Sequence, residues 1–153
     1  MRVKIEHRVG IPVPPEAIWA VVADFDAWSA WNPLYPRIEG ALKIGAPLTL
    51  DLALPGHKVR VIKPVILDWV PNEQILWRLS LGGGLVKSTR FLEIEKLSDT
   101  GCIFSNGEMF DGPLGPLAAR QLGRSIRAGF AAMGEAVKER VLATWRPDAC
   151  DPT

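Results

Sequence analysis

Two charged residues, Arg90 and Glu108, occupy strand-like positions where their side chains can do chemistry. Arg90 alternates with Leu92, and Glu108 alternates with Asn106 and Phe110, so each is expected to share a face with these neighbours. Burial of a carboxyl group among apolar residues raises its pKa and suits it to act as a general acid or base. A guanidinium group binds carboxylates or phosphates through its forked donors. The spacing therefore indicates a candidate catalytic residue, Glu108, and a candidate ligand anchor, Arg90.

Each of these residues also has a structural interpretation. The turn Asp99-Thr100-Gly101 joins the two predicted strands, so Glu108 can face Arg90 as its ion-pair partner or contact the long helix that follows. An inward Arg90 would need such a partner, because an isolated buried charge is costly. Arg90 can equally lie in water at the edge of a strand. A slip of one residue in the strand register reverses the faces, and the sequence does not fix that register.

Histidine and cysteine residues are too few and too scattered to indicate a metal site. The chain has His7, His57, Cys102 and Cys150, and their spacing matches no zinc motif. We therefore predict neither a metal nor a cofactor. His7 shares the apolar face of the first strand and is predicted to be a hydrogen-bonded core residue. His57 lies in a predicted turn and is expected to be solvated.

The charge balance and the apolar pattern argue against two classes of partner. The 153 residues include 18 basic and 17 acidic side chains, for a net charge of +1, and no basic cluster indicates nucleic-acid binding. No run reaches the about 18 apolar residues that a membrane span needs, so no transmembrane segment is expected. The sequence opens on a strand-like pattern without the features of a signal peptide, and we therefore expect a cytoplasmic protein.

A long helical pattern occupies the last third of the chain, from about Pro113 to Thr144. Possible starting points are Asp111-Gly112-Pro113 and Gly115-Pro116. At about 1.5 Å per residue, a helix of this length spans about 45 Å. The apolar residues recur at steps of three or four and form one stripe: Leu122, Ile126, Phe130, Met133, Val137 and Val141.

Most of the preceding sequence alternates as antiparallel strands do. Residues 2–11 form the first strand pattern, and a short helix is predicted from about Pro15 to Ala23. About six further strands are separated by turns rich in proline, glycine and asparagine, which predicts antiparallel neighbours. One run is interrupted at Lys63-Pro64 but is predicted to place five residues on a single face: Val59, Val61, Val65, Leu67 and Trp69.

Three segments of the sequence match motifs of a known family. They are Val13-Pro14-Pro15 with Ile18-Trp19, the tryptophan-rich segment from Asp24 to Pro33, and the segment from Gly107 to Leu114. On these motifs, about residues 1–143 resemble the START-like, or SRPBCC, superfamily in its polyketide cyclase/dehydrase-like branch. The resemblance implies an α+β helix-grip (START/Bet v 1-like) fold. In that fold a curved antiparallel sheet of about six to seven strands surrounds a long C-terminal helix, with a ligand cavity between them.

The resemblance and the aromatic residues together suggest what lines such a cavity. Trp28 and Trp31 fall in the region that resembles the rim of the family's cavity, and large aromatic walls suit a flat or apolar ligand. For each aromatic residue, an ordinary place in the core is the alternative. Many relatives carry a histidine where Arg90 stands, which is a departure from the family pattern. The predicted ligand-binding residues are Trp28, Trp31, Trp77, Arg90, Phe104, Asn106, Glu108, Phe110, Leu122, Ile126 and Phe130.

These expectations lead to three hypotheses of function. The leading one is binding or carriage of a small hydrophobic ligand, lipid or polyketide-like, in the cavity between sheet and helix. The second is a polyketide cyclase/dehydratase-type enzyme that uses Glu108 as acid or base and Arg90 to stabilise an enolate. The third is a protein-interaction or regulatory module, which requires an exposed apolar patch. We expect a single domain over residues 1–144, a polar tail over 145–153, and a monomer or homodimer.

Overall fold

The computed structural model describes residues 2–146. Within them the chain forms eight strands and three α-helices, with 3-10 turns at Phe25–Ala27 and Gly82–Gly84. Residues 147–153 of the predicted tail lie outside the described residues, whereas Trp145, at its start, packs against the core. In chain order the elements are β1 (Val3–Ile11), α1 (Pro15–Val22), α2 (Trp28–Trp31), β2 (Arg37–Glu39), β3 (Thr49–Leu52), β4 (Arg60–Ile62), β5 (Val65–Val70), β6 (Gln74–Leu81), β7 (Val86–Ser98), β8 (Gly101–Asp111) and α3 (Gly115–Thr144).

The strands form two antiparallel sheets that meet along one edge. Five strands pair in the order β1-β8-β7-β6-β5, and three pair in the order β2-β3-β4. The backbone N–H of Gly45 donates to the Ile66 carbonyl (2.8 Å), and the N–H of Ile66 donates to the Ala46 carbonyl (3.0 Å), which joins the segment before β3 to β5. The helix-grip architecture is confirmed, with eight strands in two sheets where the sequence indicated about six or seven in one.

Helix α3 begins at Gly115-Pro116, the second of the two possible starts. Proline is tolerated there because the N–H groups of the first turn have no helical acceptor. The predicted stripe is confirmed, and burial of each such side chain contributes about 1.5–3 kcal/mol to holding α3 against β1 and β8. None of the helices within residues 2–146 has both the length and the hydropathy needed to cross a membrane. In the stripe, Leu122 is half-buried and the other residues are buried: Ile126, Phe130, Met133, Val137 and Val141.

The hairpin of β7 and β8 fixes the register that the sequence left open. Arg90 lies directly opposite Glu108, and Trp77 of β6 lies opposite Arg90, so these three residues form one row across the sheet. Alternate residues of a strand share a face. The row two residues further along each strand therefore shares this face, and it consists of Leu79, Ser88 and Phe110.

The predicted single strand face over residues 59–69 was wrong. The segment divides at Lys63-Pro64 into β4 and β5, which belong to different sheets. Proline cannot donate to a strand ladder, which accounts for the break. In β5 the buried residue is Ile66, at 1% exposure, whereas Val59 and Val61 are 58% and 56% exposed. In β5, burial has therefore selected Ile66 instead of Val65 and Leu67, and a bulge between Ile66 and Asp68 returns Trp69 to the core side.

Candidate functional site

A cavity of about 210 Å³ lies between the inner face of the sheets and the first half of α3. Strand residues reach it because alternate positions face one side, and helix residues reach it because steps of four return to one stripe. Its wall is mainly apolar, formed by Leu52, Leu54, Ile62, Trp77, Leu79 and Phe110 from the strands and their ends, and by Leu122, Ile126 and Phe130 from α3.

Six of the predicted ligand-binding residues line this cavity, and five do not. The five that lie elsewhere are Trp28, Trp31, Arg90, Phe104 and Asn106. A role in ligand binding stays a prediction for the six that line it, which are Trp77, Glu108, Phe110, Leu122, Ile126 and Phe130.

The two tryptophans predicted at the cavity rim occupy other surroundings. Trp28 is completely buried, its indole N–H donates to the Val22 carbonyl (3.2 Å), and its ring stacks at 5.9 Å from that of Tyr35. Trp31 lines a separate groove formed by α1, α2 and the end of α3. A completely buried ring that packs against other aromatic rings has no surface left for a ligand. Trp28 is therefore a core residue, and Trp31 belongs to a different surface.

Phe104 and Asn106 lie further along β8, where the sheet and α3 are closely packed. Both are completely buried. The amide oxygen of Asn106 accepts a hydrogen bond from Arg90 Nη2 (2.9 Å), and its amide nitrogen donates to the backbone carbonyl of Phe130 (3.1 Å). Because both ends of this amide are used within the protein, Asn106 connects β8 to α3 and does not face the cavity.

Arg90 is 1% exposed, and its hydrogen-bonding capacity is used within the protein. An arginine has five N–H donors. Its acceptors are the Tyr35 hydroxyl (2.9 Å), the carbonyls of Phe91 (3.0 Å) and Gly107 (3.1 Å), Asn106 Oδ1 (2.9 Å) and Met133 Sδ (3.4 Å). The ion pairs found within residues 2–146 do not include Arg90, so Glu108 faces it in register without forming a salt bridge. Contrary to its predicted role, Arg90 has no donor left for a ligand.

Aromatic rings surround the Arg90 guanidinium on the side of the cavity. The ring centroids of Phe130, Tyr35 and Trp77 lie 4.1, 5.6 and 6.0 Å from Arg90 Cζ, and all three rings line the cavity. Each cation–π contact contributes about 0.5–2 kcal/mol, which offsets part of the cost of removing the cation from water. The buried charge therefore stabilises the aromatic wall from behind.

Glu108 places a carboxyl group at the cavity wall. Burial raises the pKa of this carboxyl above the ordinary glutamate value, and the Arg90 guanidinium and a hydrogen bond from Ser88 oppose the rise. A raised pKa enlarges the protonated fraction at neutral pH. Glu108 can therefore donate a hydrogen bond to a bound molecule or exchange a proton with it.

Tyr35 is a cavity residue that the sequence analysis missed. It follows Asn32-Pro33, and Asn32 Oδ1 accepts the backbone N–H groups of Leu34 and Tyr35 (both 3.0 Å), which holds this turn in place. Burial raises the pKa of the Tyr35 hydroxyl, so the phenol stays neutral. The Asn-Pro pair signals a turn, but a turn has no periodicity that would show where the ring points.

Three basic residues at the mouth of the cavity were also missed. His57, Lys58 and Arg60 line it and are exposed. His57 was predicted to be solvated, and its Nε2 lies 3.0 Å from Ser125 Oγ, so it also connects the β3–β4 loop to α3. Only the folded chain brings this loop over the helix, so no local pattern in the sequence reveals the contact.

The remaining histidine and cysteine do not form a second centre within the described residues. No group of three or more His, Cys, Asp and Glu side chains between residues 2 and 146 is arranged to hold a metal ion. Cys102 is buried. His7 lies opposite Asn106 in β8, and its buried Nδ1 finds no hydrogen-bond partner there, contrary to the predicted hydrogen-bonded histidine.

The sequence of the chain matches a known protein family. Residues 2–138 match the family described as polyketide cyclase/dehydrase and lipid transport. The chain belongs to this family. The resemblance inferred from the three sequence motifs is thereby confirmed, while no curated protein matches the sequence.

Several solved structures share the fold at low sequence identity. The Zhui aromatase/cyclase from Streptomyces sp. R1128 is 18% identical, with a TM-score of 0.77 over 96% of this chain and 98% of that protein. Norcoclaurine synthase from Thalictrum flavum, in complex with dopamine and hydroxybenzaldehyde, is 16% identical, with a TM-score of 0.72 over 95% and 90%. A START superfamily protein from Mycobacterium smegmatis is 20% identical, with a TM-score of 0.70 over 93% and 99%. At such identities the likeness shows the fold alone.

Proposed function

We propose that this family member binds and carries a small hydrophobic molecule, lipid or polyketide-like, in the cavity between the sheets and α3. The observation that supports this most directly is the apolar wall, in which Leu122, Ile126 and Phe130 of α3 face Trp77 and Leu79 of β6. Burial of apolar ligand surface contributes about 25 cal/mol per Å² before the costs of association. The family description, which includes lipid transport, agrees with this proposal.

A few polar groups would orient such a ligand. Glu108, Ser88 and Tyr35 line the cavity on the side nearest Arg90. A protonated Glu108 can donate a hydrogen bond to a carbonyl or hydroxyl oxygen, and Ser88 can donate or accept one. A ligand with an oxygen at one end would therefore be held in a single orientation.

Filling the cavity tests the proposal. Leu122→Trp adds an indole to the cavity wall, and the matched control Leu117→Trp adds the same group at a position of α3 that is 48% exposed. Binding of the neutral dye N-phenyl-1-naphthylamine would be titrated by fluorescence, with circular dichroism as the check of folding. We expect Leu122→Trp to weaken binding about tenfold or more, equivalent to about 1.4 kcal/mol, and Leu117→Trp to leave it unchanged. Equal affinities in the two variants would contradict the proposal.

Glu108 supports a second candidate function, acid–base catalysis of cyclisation or dehydration. A cavity that holds a flexible chain in a folded shape favours ring closure. The Glu108 carboxylate would remove a proton from a carbon next to a carbonyl, and the carboxylic acid would return it to a departing hydroxyl. Its position at the wall and its raised pKa are the features that suit this role.

The variant Glu108→Gln separates this second function from simple binding. Glutamine keeps the shape of the protonated acid but exchanges no proton. If the chain is a cyclase, we expect turnover of a poly-β-ketone thioester to fall about 10²-fold or more, while dye binding and folding are retained. Undiminished turnover would remove Glu108 from the mechanism, and Glu93→Gln, an exposed position on β7, is the control.

The proposed carrier acts in the cytoplasm as a monomer or homodimer. Light scattering after size-exclusion chromatography would determine the assembly, and cell fractionation would determine the location. A larger assembly or a location outside the cytoplasm would contradict these two points without affecting the proposed ligand binding.

A further inference from the structure

We propose that the ligand is an amphipathic anion whose apolar body fills the cavity and whose carboxylate or phosphate group is held at the mouth by Lys58 and Arg60. This inference rests on the proposed ligand binding and adds the chemical class of the ligand. It follows from a difference between the two ends of the cavity, one of which offers cationic donors to a ligand while the other does not.

The two cations at the mouth are available to an anion. Both are exposed, and the ion pairs found within residues 2–146 involve neither of them. Among the residues that line the cavity, the acidic one is Glu108, which projects from β8, between β1 and β7, and not from the loop at the mouth. The mouth therefore presents two positive charges without an acidic residue beside them in the lining.

The loop that carries these cations is held against α3. His57, which precedes Lys58, lies 3.0 Å from Ser125 through Nε2 and Oγ. The start of the loop also lies against α3 at Gly129, where an added Cβ atom would be in ordinary contact with Leu54 at 3.4 Å and with Pro55 at 3.6 Å. Arg60 begins β4 and pairs with Leu52 of β3. The loop and the strand thus hold both cations beside the opening.

The other end of the cavity disfavours a negative group. A ligand carboxylate placed there would lose its water without gaining a free cationic donor, and it would repel the ionised form of Glu108. Arg90 attracts negative charge but can donate no hydrogen bond to it, because its five donors already have acceptors within the protein. An anionic ligand is therefore expected to enter with its apolar body first and to leave its charged group at the mouth.

Three probes of equal chain length test this inference: decanoate, decyl phosphate and 1-decanol. Affinities would be measured by displacement of N-phenyl-1-naphthylamine at about 0.01 M salt, where the Debye length is about 30 Å. We expect at least one anion to bind about fivefold more tightly than decanol, the range that two exposed ion pairs provide. At about 1 M salt, where the Debye length is about 3 Å, the preference should disappear.

A double variant assigns the preference to the two cations. We expect Lys58→Gln/Arg60→Gln to remove the preference for the anion and to leave the affinity for decanol unchanged. The matched control is Lys63→Gln/Arg78→Gln, which removes the same charge from two exposed residues outside the cavity lining. The control should retain most of the preference, and an equal loss there would overturn the assignment to Lys58 and Arg60.

The pattern over the probes separates the possible results. Tighter binding of decanoate alone identifies a carboxylate, and tighter binding of decyl phosphate alone identifies a phosphate monoester; either result supports the inference, as does tighter binding of both. Equal binding of all three probes overturns the inference and leaves the proposed function standing. No binding of any probe overturns both.

Discussion

The two ends of the space beneath α3 hold positive charge in opposite ways. Arg90 is 1% exposed and donates to five acceptors within the protein, whereas Lys58 and Arg60 are exposed at the mouth of the cavity. Removing a cation from water costs several kcal/mol, so the buried one is retained only with complete internal partners. A solvated cation can instead exchange water for a ligand. This difference supports a structural role for Arg90 and the proposed role of the mouth cations in ligand recognition.

The strongest test of this comparison is removal of the buried cation. Arg90→Ala would leave the Tyr35 hydroxyl, Asn106 Oδ1 and two backbone carbonyls without their donor. Each buried group that loses its partner costs about 1–3 kcal/mol, partly recovered by water entering the space, so we expect a loss of about 3 kcal/mol or more. Urea denaturation would measure the free energy of unfolding.

Two further variants show whether charge or donor geometry is responsible. Arg90→Lys keeps the charge but replaces the fork of five donors by three on a single nitrogen, and we expect an intermediate loss. Arg78→Ala, at an exposed position of the neighbouring strand β6, should change the free energy by no more than about 0.5 kcal/mol. If Arg90→Ala were as mild as Arg78→Ala, the structural assignment of Arg90 would be wrong.

Helix α3 also differs between its two halves, because it is closely packed at Gly134 and less closely packed at Gly123. A Cβ atom at Gly134 would lie 2.7 Å from His7 Nδ1, whereas one at Gly123 would meet its nearest neighbour, Ile5 Cδ1, at 3.7 Å. Gly134→Ala is therefore expected to destabilise the fold by about 1–2 kcal/mol through overpacking. Gly123→Ala should stabilise it by up to about 1 kcal/mol, because alanine favours the helix. Thermal denaturation would compare the two, and equal signs would contradict the difference in packing.

Glu108 lies between the two ends, and its ionisation links folding to pH. Because burial raises its pKa in the folded protein, the folded state binds the proton more tightly than the unfolded state does. The stability that this provides is complete below the unfolded pKa and is lost as pH rises through the folded pKa. Glu108→Gln should therefore gain stability relative to the wild type as pH rises above about 4, the ordinary glutamate pKa, by about 1.4 kcal/mol for each tenfold difference in proton affinity between the folded and unfolded states. If the difference in the free energy of unfolding between the two proteins did not change with pH, the Glu108 carboxyl group would not be desolvated in the folded protein.

Several features of the fold and site were predictable because they depend on local periodicity. The α3 stripe from Leu122 to Val141 and the inward alternation of Glu108 and Phe110 follow from periods of 3.6 and 2, which burial imposes on any amphipathic element. The same periods place Phe130 and Ile126 at the cavity. The row that joins Trp77, Arg90 and Glu108 was not predictable, because register depends on pairing between strands and not on either strand alone.

The features that were missed depend on tertiary contacts. Tyr35 follows a turn, and Lys58 and Arg60 follow another, so no alternation marks them as inward-facing or at a mouth. Trp28 was predicted at the cavity rim because its segment resembles a family motif. Such a motif indicates that a tryptophan occurs at this position, but it does not show whether the ring faces the cavity or the core. For the 59–69 segment, Pro64 indicated the interruption, but neither the change of sheet nor the bulge between Ile66 and Asp68 has a local signal in the alternation.

The smallest predicted effect is also the one on which the comparison depends. The free energy of unfolding of Lys58→Gln/Arg60→Gln should lie within about 0.5 kcal/mol of the wild-type value, because both side chains are exposed and make few contacts in the folded protein. His57→Ala, which removes the 3.0 Å contact with Ser125 on the same loop, is a matched variant expected to cost about 0.5–1.5 kcal/mol. Urea denaturation of both proteins would give these values. A loss of 2 kcal/mol or more in the double variant would mean that the mouth cations hold the loop in place, and any change in anion binding would then follow from structure and not from charge.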